Sequence, residues 1–231
     1  MKIKSTVAAL SAAVAVAGTL ALVSTSAQAA DCKHKVGSIL SLTGSYGAYG
    51  VPISKAAQMG VEQVNAARAA VGVGCDLTYD VRDSQTQASV AIDAATKMID
   101  IEGVTALVGP ISSGITAPLL SSVTVEKGVV LIATASTSPT FTKMGREGKT
   151  KGLFFRTLPA DTLQAVATAK LAWDVGIRKP AIIYLNNDWG KNNQAEFTAA
   201  FEAQGGKVVA AVAFNADQPS YRSEINKALK G

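Results

Sequence analysis

The chain of 231 residues is 48% hydrophobic and 6% aromatic, and its 22 Lys and Arg residues against 17 Asp and Glu give a net charge of +5 at pH 7. This composition is typical of α/β domains, whose helices are rich in Ala and whose strands are rich in Val and Ile. The basic excess is weak, so it predicts no nucleic-acid partner. The length suffices for one large domain or two smaller ones.

The N-terminal segment has the pattern of an export signal. Lys2 and Lys4 precede an apolar run over residues 7–23, and residues 27–29 form an A-x-A cleavage site. A membrane anchor is the alternative, since the run is nearly long enough to span a bilayer. The small residues and the cleavage site favour a signal peptide over residues 1–29. Its removal would leave a mature chain outside the cytoplasm with a net charge of +3, because the segment holds two Lys and no acid.

Two cysteines, Cys32 and Cys75, remain after that cleavage. Asp31 precedes Cys32, where a lipoprotein would need a small residue, so a lipid anchor is not predicted. Two cysteines and His34 are too few for a structural zinc site, and no metal is expected. Because export leads to an oxidising compartment, we predict a disulfide between Cys32 and Cys75. On the chain-entropy model it would stabilise the fold by roughly 3–4 kcal/mol.

Strand and helix patterns alternate along the mature chain. Predicted strands cover residues 35–40, 77–82, 104–108, 129–133, 153–156, 181–185 and 207–214. Predicted helices cover residues 52–71, a segment after Ser84 that ends at Ile99, a segment after the third strand, residues 162–175 and 191–204, and a segment from Ser220 onward. This alternation predicts an α/β fold with parallel sheets. The pattern begins again after Arg156, so we place a first lobe at residues 30–156 and a second, partial lobe at residues 157–231.

Two loops of small and hydroxyl-bearing residues follow the third and fourth strands, at residues 109–114 and 134–139. Ligands of open parallel sheets bind at the carboxyl ends of the strands, which is where both loops lie. Backbone amides near Ser113 and Ala135, with the hydroxyls of Ser113 and Thr137, can together clamp a small carboxylate. The alternative is that these Ser and Thr residues only cap helices.

An enzyme is not indicated by the residues available. A Ser-His-Asp hydrolase needs a histidine beside its nucleophile, and His34 is the only histidine. The glycine-rich residues 44–50 after the first strand invite a dinucleotide-binding interpretation, but their spacing is not G-x-G-x-x-G, and Asp83 is a weak candidate for the ribose contact. No cofactor is therefore predicted.

Five segments carry a resemblance to a known family. They are residues 36–50, with Thr43-Gly44 and Tyr49-Gly50, and residues 109–118, 135–142, 156–161 and 186–190. Together they resemble the Leu/Ile/Val-binding family of periplasmic solute-binding proteins, which serve ABC-type importers of branched-chain amino acids. The resemblance implies two Rossmann-like lobes of periplasmic-binding-protein type I that enclose the ligand between them. It also implies that this chain is an N-terminal part whose second lobe is incomplete.

The resemblance also implies a set of ligand-binding residues. They are Tyr49, Ile111, Ser112, Ser113, Ala135, Ser136, Thr137, Asp161 and Trp189. In this set Ser113 and Thr137 hydrogen-bond the ligand carboxylate, and Ala135 offers its backbone amide. Tyr49 and Trp189 line the cleft from the two lobes, although a loop-packing Tyr49 and a core Trp189 are the alternatives.

Two further roles follow from the same resemblance. Ile111 offers a backbone or packing contact, and Asp161 is a counter-charge for a ligand ammonium or else a cap beside the hinge. The implied function is capture of a small carboxylate, such as an amino acid, by a monomer in the periplasm that docks on an ABC permease of the inner membrane. A sensor of the same fold that reports to a signalling receptor is the alternative. The ligand side chain stays open, since the residues that hold its ammonium group would lie beyond Gly231.

Overall fold

The computed structural model describes residues 34–74 and 76–230. The predicted signal peptide and the predicted disulfide between Cys32 and Cys75 lie outside these residues, and both stay predictions. Among the described residues, no helix combines the length and the apolar character needed to cross a membrane.

Strands and helices alternate in chain order. The strands are β1 (His34–Leu40), β2 (Leu77–Asp83), β3 (Ala106–Val108), β4 (Val130–Ala133), β5 (Phe154–Arg156), β6 (Ala181–Leu185) and β7 (Ala210–Phe214). The helices are α1 (Gly47–Ala70), α2 (Ala88–Asp100), α3 (Ser113–Leu119), α4 (Pro139–Arg146), α5 (Thr162–Asp174), α6 (Asp188–Glu202) and α7 (Arg222–Ala228). A 3-10 turn (Gly44–Tyr46) precedes α1, while α3 continues through a π-helical turn (Leu120–Thr124) and a last α-helical turn (Val125–Lys127).

The strands form two parallel sheets, which confirms the predicted α/β fold. The first has the order β2-β1-β3-β4-β5, and the second pairs β6 with β7. We call the first sheet with its helices the first lobe and the second sheet with its helices the second lobe. In the first sheet His34 lies opposite Leu77 of β2, and Val36 lies opposite Ala106 of β3. Since β2 and β3 flank β1 on opposite sides, the topological switch point lies between β1 and β3.

The core of the first lobe lies between its sheet and the helices that cover it. Fully buried side chains from strands and helices meet there, among them Ile39, Leu107, Leu131, Met98, Leu119 and Leu120. Burying each such side chain contributes roughly 1.5–3 kcal/mol. Gly37 in β1 makes room for this packing, because a Cβ there would lie 2.8 Å from side-chain atoms of Leu107 and Met98. The core therefore holds β1 and β3 in a fixed relation at the switch point.

Helix α1 begins earlier than predicted. The sequence predicted a start at Pro52 after a glycine-rich turn, but the glycine-rich residues themselves form the first turn of the helix from Gly47, and Pro52 lies inside it. The cause is close packing of Gly50 against the end of β1, where a Cβ would lie 1.8 Å from the carbonyl oxygen of Ser41. The aromatic residues of this segment are thus held on a helix and its 3-10 turn.

Candidate functional site

The loops that follow β1, β3 and β4 meet at the switch point and, with the start of α6, surround a cavity of about 270 Å³. Its lining consists of Tyr46, Tyr49, Ile111, Ser112, Ser113, Ala135 and Trp189. Six of these seven residues belong to the predicted ligand-binding set, and Tyr46 does not. Ser136, Thr137 and Asp161 are absent from the lining. The structure thus brings together residues from both lobes at the place where ligands of parallel sheets bind.

Asp83, the last residue of β2, holds the loop after β1. Its Oδ1 accepts hydrogen bonds from the backbone amides of Leu42 (2.9 Å) and Gln85 (2.8 Å), and its Oδ2 accepts one from the Thr43 hydroxyl (2.6 Å). Partial desolvation acts to raise the pKa of Asp83, but these hydrogen bonds outweigh it and the pKa lies below its ordinary value. Its carboxylate is therefore engaged in positioning the loop.

Two tyrosines of that segment form one wall of the cavity. The rings of Tyr46 and Tyr49 lie 6.4 Å apart, and Tyr49 is 63% exposed. Burial, with a smaller effect of the Tyr49 phenol, raises the pKa of Tyr46. Tyr46 does not belong to the predicted ligand-binding set. Its spacing of three from Tyr49 is the available signal, because residues three apart share one side of a helical turn.

Ser112 and Ser113 open α3 after the cis peptide bond between Gly109 and Pro110. The carbonyl of Ser112 accepts hydrogen bonds from the third and fourth residues after it, Ile115 (3.0 Å) and Thr116 (2.9 Å). Ser113 is buried, and its hydroxyl oxygen accepts a 3.3 Å hydrogen bond from the backbone amide of Ser138. The hydroxyl proton of Ser113 remains to be donated elsewhere, since a serine hydroxyl both donates and accepts.

Ser136, Thr137 and Asp161 have partners within the protein. Ser136 is fully buried, and its hydroxyl lies 2.6 Å from that of Thr116 and 3.2 Å from the carbonyl oxygen of Ile111. The hydroxyl of Thr137 donates to the Asp161 carboxylate, and the Asp161 amide donates back to the Thr137 carbonyl at 3.0 Å. These contacts tie the loops after β3 and β4 to the start of α5. Direct ligand contacts by these three residues stay predictions.

Arg156 at the end of β5 fixes the loop after β4. Its guanidinium donates to the carbonyl oxygen of Ser138 (2.9 Å) and to the hydroxyl of Thr142 (2.6 Å). Desolvation lowers the pKa of Arg156, while the nearby charge of Asp161 opposes that effect. Since Ser138 donates its amide to Ser113, the guanidinium also supports the serine that lines the cavity.

Trp189 lies in the first turn of α6, on the second lobe. The side chain of Asn187 caps this turn by accepting a 2.8 Å hydrogen bond from the amide of Gly190. A Cβ on Gly190 would lie 2.0 Å from the Leu185 carbonyl oxygen, so only glycine permits this close packing of α6 on β6. A Cβ on Gly114 of the first lobe would lie 3.0 Å from Cβ of Asn187. The first turns of α3 and α6 thus approach each other closely beside the cavity.

A larger cavity of about 660 Å³ lies in the second lobe, against β6, α5 and α6. Its lining is mostly apolar, with Ile182, Leu185, Phe197 and Phe214 among the residues, and Trp189 separates it from the smaller cavity. All of its lining residues come from the second lobe, whereas the smaller cavity is lined from both lobes and holds six residues of the predicted set, so we assign the site to the smaller cavity. Among the described residues, no three His, Cys, Asp or Glu side chains are grouped so as to hold a metal ion.

Comparison with known proteins places these features in a family. A family model described as periplasmic binding protein matches residues 33–231. The Leu/Ile/Val-binding protein BraC3 of Rhizobium johnstonii is 29% identical over 171 residues, which are 74% of this chain and 44% of that protein. The chemotactic signal transduction system substrate-binding protein BasB of Halobacterium salinarum is 31% identical over 160 residues, 67% of this chain and 38% of that protein.

A solved structure shows the same fold. The branched-chain amino acid transporter substrate-binding protein LivJ of Streptococcus pneumoniae, in complex with isoleucine, superposes with a TM-score of 0.68 at 26% identity over 86% of this chain and 54% of that one. The chain spans less than half the length of the two relatives named above. The predicted Rossmann-like architecture of type I is confirmed by these matches. The chain belongs to the periplasmic binding protein family.

Proposed function

We propose that this protein is the extracytoplasmic solute-binding subunit of an ABC importer and that it captures a small carboxylate, such as a branched-chain or other amino acid. The observation that carries the proposal is the cavity at the switch point, which Ser113 and Ala135 line from the first lobe and Trp189 lines from the second. Its volume of about 270 Å³ is below the range of pockets for drug-sized ligands, so a small solute is favoured.

The lining of the cavity contains groups that suit both the carboxylate and the apolar part of such a solute. The hydroxyl of Ser113 and the backbone amide of Ala135 bind the carboxylate, and each hydrogen bond to a charged group contributes about 1.5–3 kcal/mol. Tyr46, Tyr49 and Trp189 pack against the apolar part of the solute. The aromatic lining accepts both aliphatic and flat side chains, so amino acids and aromatic acids are both candidates.

Function follows from closure of the lobes and involves no change of bonds in the solute. A ligand that contacts both lobes binds the closed arrangement more tightly than the open one and therefore shifts the population toward it. The closed form then docks on the permease and releases its solute there. Family membership implies an extracytoplasmic location, and we propose that residues 1–29 direct export.

A ligand screen followed by calorimetry tests the proposal. Full-length protein is melted with single amino acids, amides and aromatic acids, because binding to the native state raises the apparent melting temperature. For the solute that stabilises the protein, Ser113→Ala is expected to weaken binding by more than tenfold, roughly the loss of one charge-assisted hydrogen bond. Ser121→Ala is the matched control, because among the described residues its hydroxyl donates only to the Ala117 and Pro118 carbonyls of the same helical segment. Equal affinities of wild type and Ser113→Ala would contradict the proposal.

A sensor is the second candidate, and the similarity to BasB favours it. The lobes and the cavity would be the same, and the closed form would report to a signalling receptor instead of a permease. Cells that lack the gene distinguish the two functions. Loss of uptake of the radiolabelled solute supports the importer, whereas unchanged uptake with a lost behavioural response supports the sensor.

A further inference from the structure

Asp188 connects the second lobe to the first directly beside the cavity. Its Oδ1 accepts a 3.1 Å hydrogen bond from the hydroxyl of Thr140, which belongs to α4 of the first lobe. Asn192, one turn further along α6, donates to the Thr140 hydroxyl at 3.1 Å and to the Asp188 backbone carbonyl at 2.8 Å. Three side chains from two lobes thus form one connected group.

Both sides of this contact are held in place by their own lobes. On the first lobe, the amide of Thr140 donates to the hydroxyl of Ser138, which caps α4, and Arg156 holds the Ser138 carbonyl at 2.9 Å. On the second lobe, Asp188 is the first residue of α6, where a carboxylate is favoured by the unpaired amides of a helix N-terminus. The side chains of Thr140 and Asp188 therefore lose little conformational freedom when they form the contact.

The second carboxylate oxygen of Asp188, Oδ2, opposes the contact between the lobes. Oδ2 is buried and has no hydrogen-bond partner among the described residues. An unpaired buried carboxylate oxygen is costly, because it gives up its hydration without a replacement. The bond from Thr140 favours the contact while the buried Oδ2 opposes it. The hydroxyl of Thr140 and the side-chain amide of Asn192, which donates to Oδ1 at 3.3 Å, are therefore the groups that hold this carboxylate in the contact.

We propose that Asp188 is a positioning residue, which through its bond to Thr140 fixes the first turn of α6 so that Trp189 closes the ligand cavity. Trp189 is the next residue in the chain and lines the same cavity as Ser113 and Ala135. A shift of this turn moves the indole directly, whereas the far end of α6 is held separately by Phe201, which lies 6.2 Å from Trp173 between ring centroids. The proposal rests on the proposed function for the role of the cavity, so it is tested without ligand.

Fluorine NMR of full-length protein labelled with 5-fluorotryptophan provides the test, with the Trp189 signal assigned by its loss in Trp189→Phe. In Thr140→Val the Trp189 signal is expected to move toward the position of free 5-fluorotryptophan, while the Trp173 signal stays unchanged. Thr140→Ser retains the hydroxyl and is expected to restore the wild-type position. Thr105→Val is the matched control, since within the described part of the chain the Thr105 hydroxyl donates only to the Lys35 carbonyl of the first lobe.

The pair is then tested for coupling. Asp188→Ala is expected to move the Trp189 signal in the same direction as Thr140→Val, and to move it little further in the Thr140→Val background, because both changes remove the hydrogen bond between Thr140 and Asp188. A wild-type Trp189 signal in Thr140→Val, or an equal displacement in Thr140→Ser, would overturn the proposal. If the ligand screen finds no solute, the proposed function fails while this ligand-free measurement still decides the role of Asp188.

Discussion

The hydroxyl of Thr43 donates a 2.6 Å hydrogen bond to the carboxylate of Asp83, and so joins the end of β1 to the end of β2. The same carboxylate accepts hydrogen bonds from the backbone amides of Leu42 and Gln85. These donors favour the ionised form of Asp83. Protonation of Asp83 therefore weakens the contacts that hold the loop leading to the tyrosines of the cavity.

This relationship predicts a pH dependence of stability. The folded-state pKa of Asp83 is lower than the unfolded value of 3.8, so its contribution is present above pH 3.8 and is lost as the pH falls through the folded-state value. Wild-type protein should lose more unfolding free energy than Asp83→Asn when the pH falls from about 5 to about 3. Urea unfolding at both pH values measures this. Asp93→Asn, which removes an exposed carboxylate of α2, should keep the wild-type dependence.

Secondary-structure elements with strong local sequence patterns were predicted well. Elements whose bounds depend on packing against another segment of the chain were not. The strand at residues 181–185 was predicted with the bounds it has in the structure, because a short apolar run lies between Pro180 and Asn186. The start of α1 was wrong by five residues, because glycines usually indicate a turn. Here they allow the helix to lie against Ser41, and that approach of two segments has no signal in local sequence.

At the candidate site, too, the contacts of single hydroxyl groups could not be predicted from the sequence. Family resemblance placed Ser136 and Thr137 in the ligand set, yet their hydroxyls have internal partners in Thr116 and Asp161. A hydroxyl bonds whichever group the fold brings near it, and these partners lie 20 and 24 residues away in the chain. Loops after strands could be predicted from pattern, but the direction of each side chain on them depends on the assembled core.

Two glycines of α1 offer a matched pair of substitutions. A Cβ on Gly50 would lie 1.8 Å from the Ser41 carbonyl oxygen, whereas a Cβ on Gly60 would meet no atom within 4 Å. Gly50→Ala is expected to lower the free energy of unfolding by about 3 kcal/mol, since backbone must move to admit the methyl group. Gly60→Ala is expected to raise it by about 0.5–1 kcal/mol, because alanine is the better helix former. Denaturant unfolding of both variants checks the pair, and similar effects at the two positions would contradict the packing described here.

Arg156 provides the last prediction, since its guanidinium donates to the carbonyl oxygens of Ser136 (3.5 Å) and Ser138 (2.9 Å) in the loop after β4 and to the hydroxyl of Thr142 in α4. A guanidinium reaches both Ser138 and Thr142 with its rigid fork, whereas a lysine ammonium is a single point charge on a flexible chain. Arg156→Lys is expected to lower the free energy of unfolding by about 1–2 kcal/mol. Arg146→Lys, an exposed change on α4, should stay within about 0.5 kcal/mol of wild type.

The position of Arg156 also predicts a consequence for binding that a general loss of stability would not produce. Ser138 donates its amide to Ser113, so a displaced Ser138 leaves the cavity hydroxyl without the bond that orients it. At a temperature where Arg156→Lys is fully folded, calorimetry should therefore show weaker binding of the solute found by the screen. In the Ser113→Ala background the same substitution should have little further effect, because the hydroxyl through which it acts is already gone. Additive losses in the double variant would mean that Arg156 stabilises the lobe without orienting Ser113.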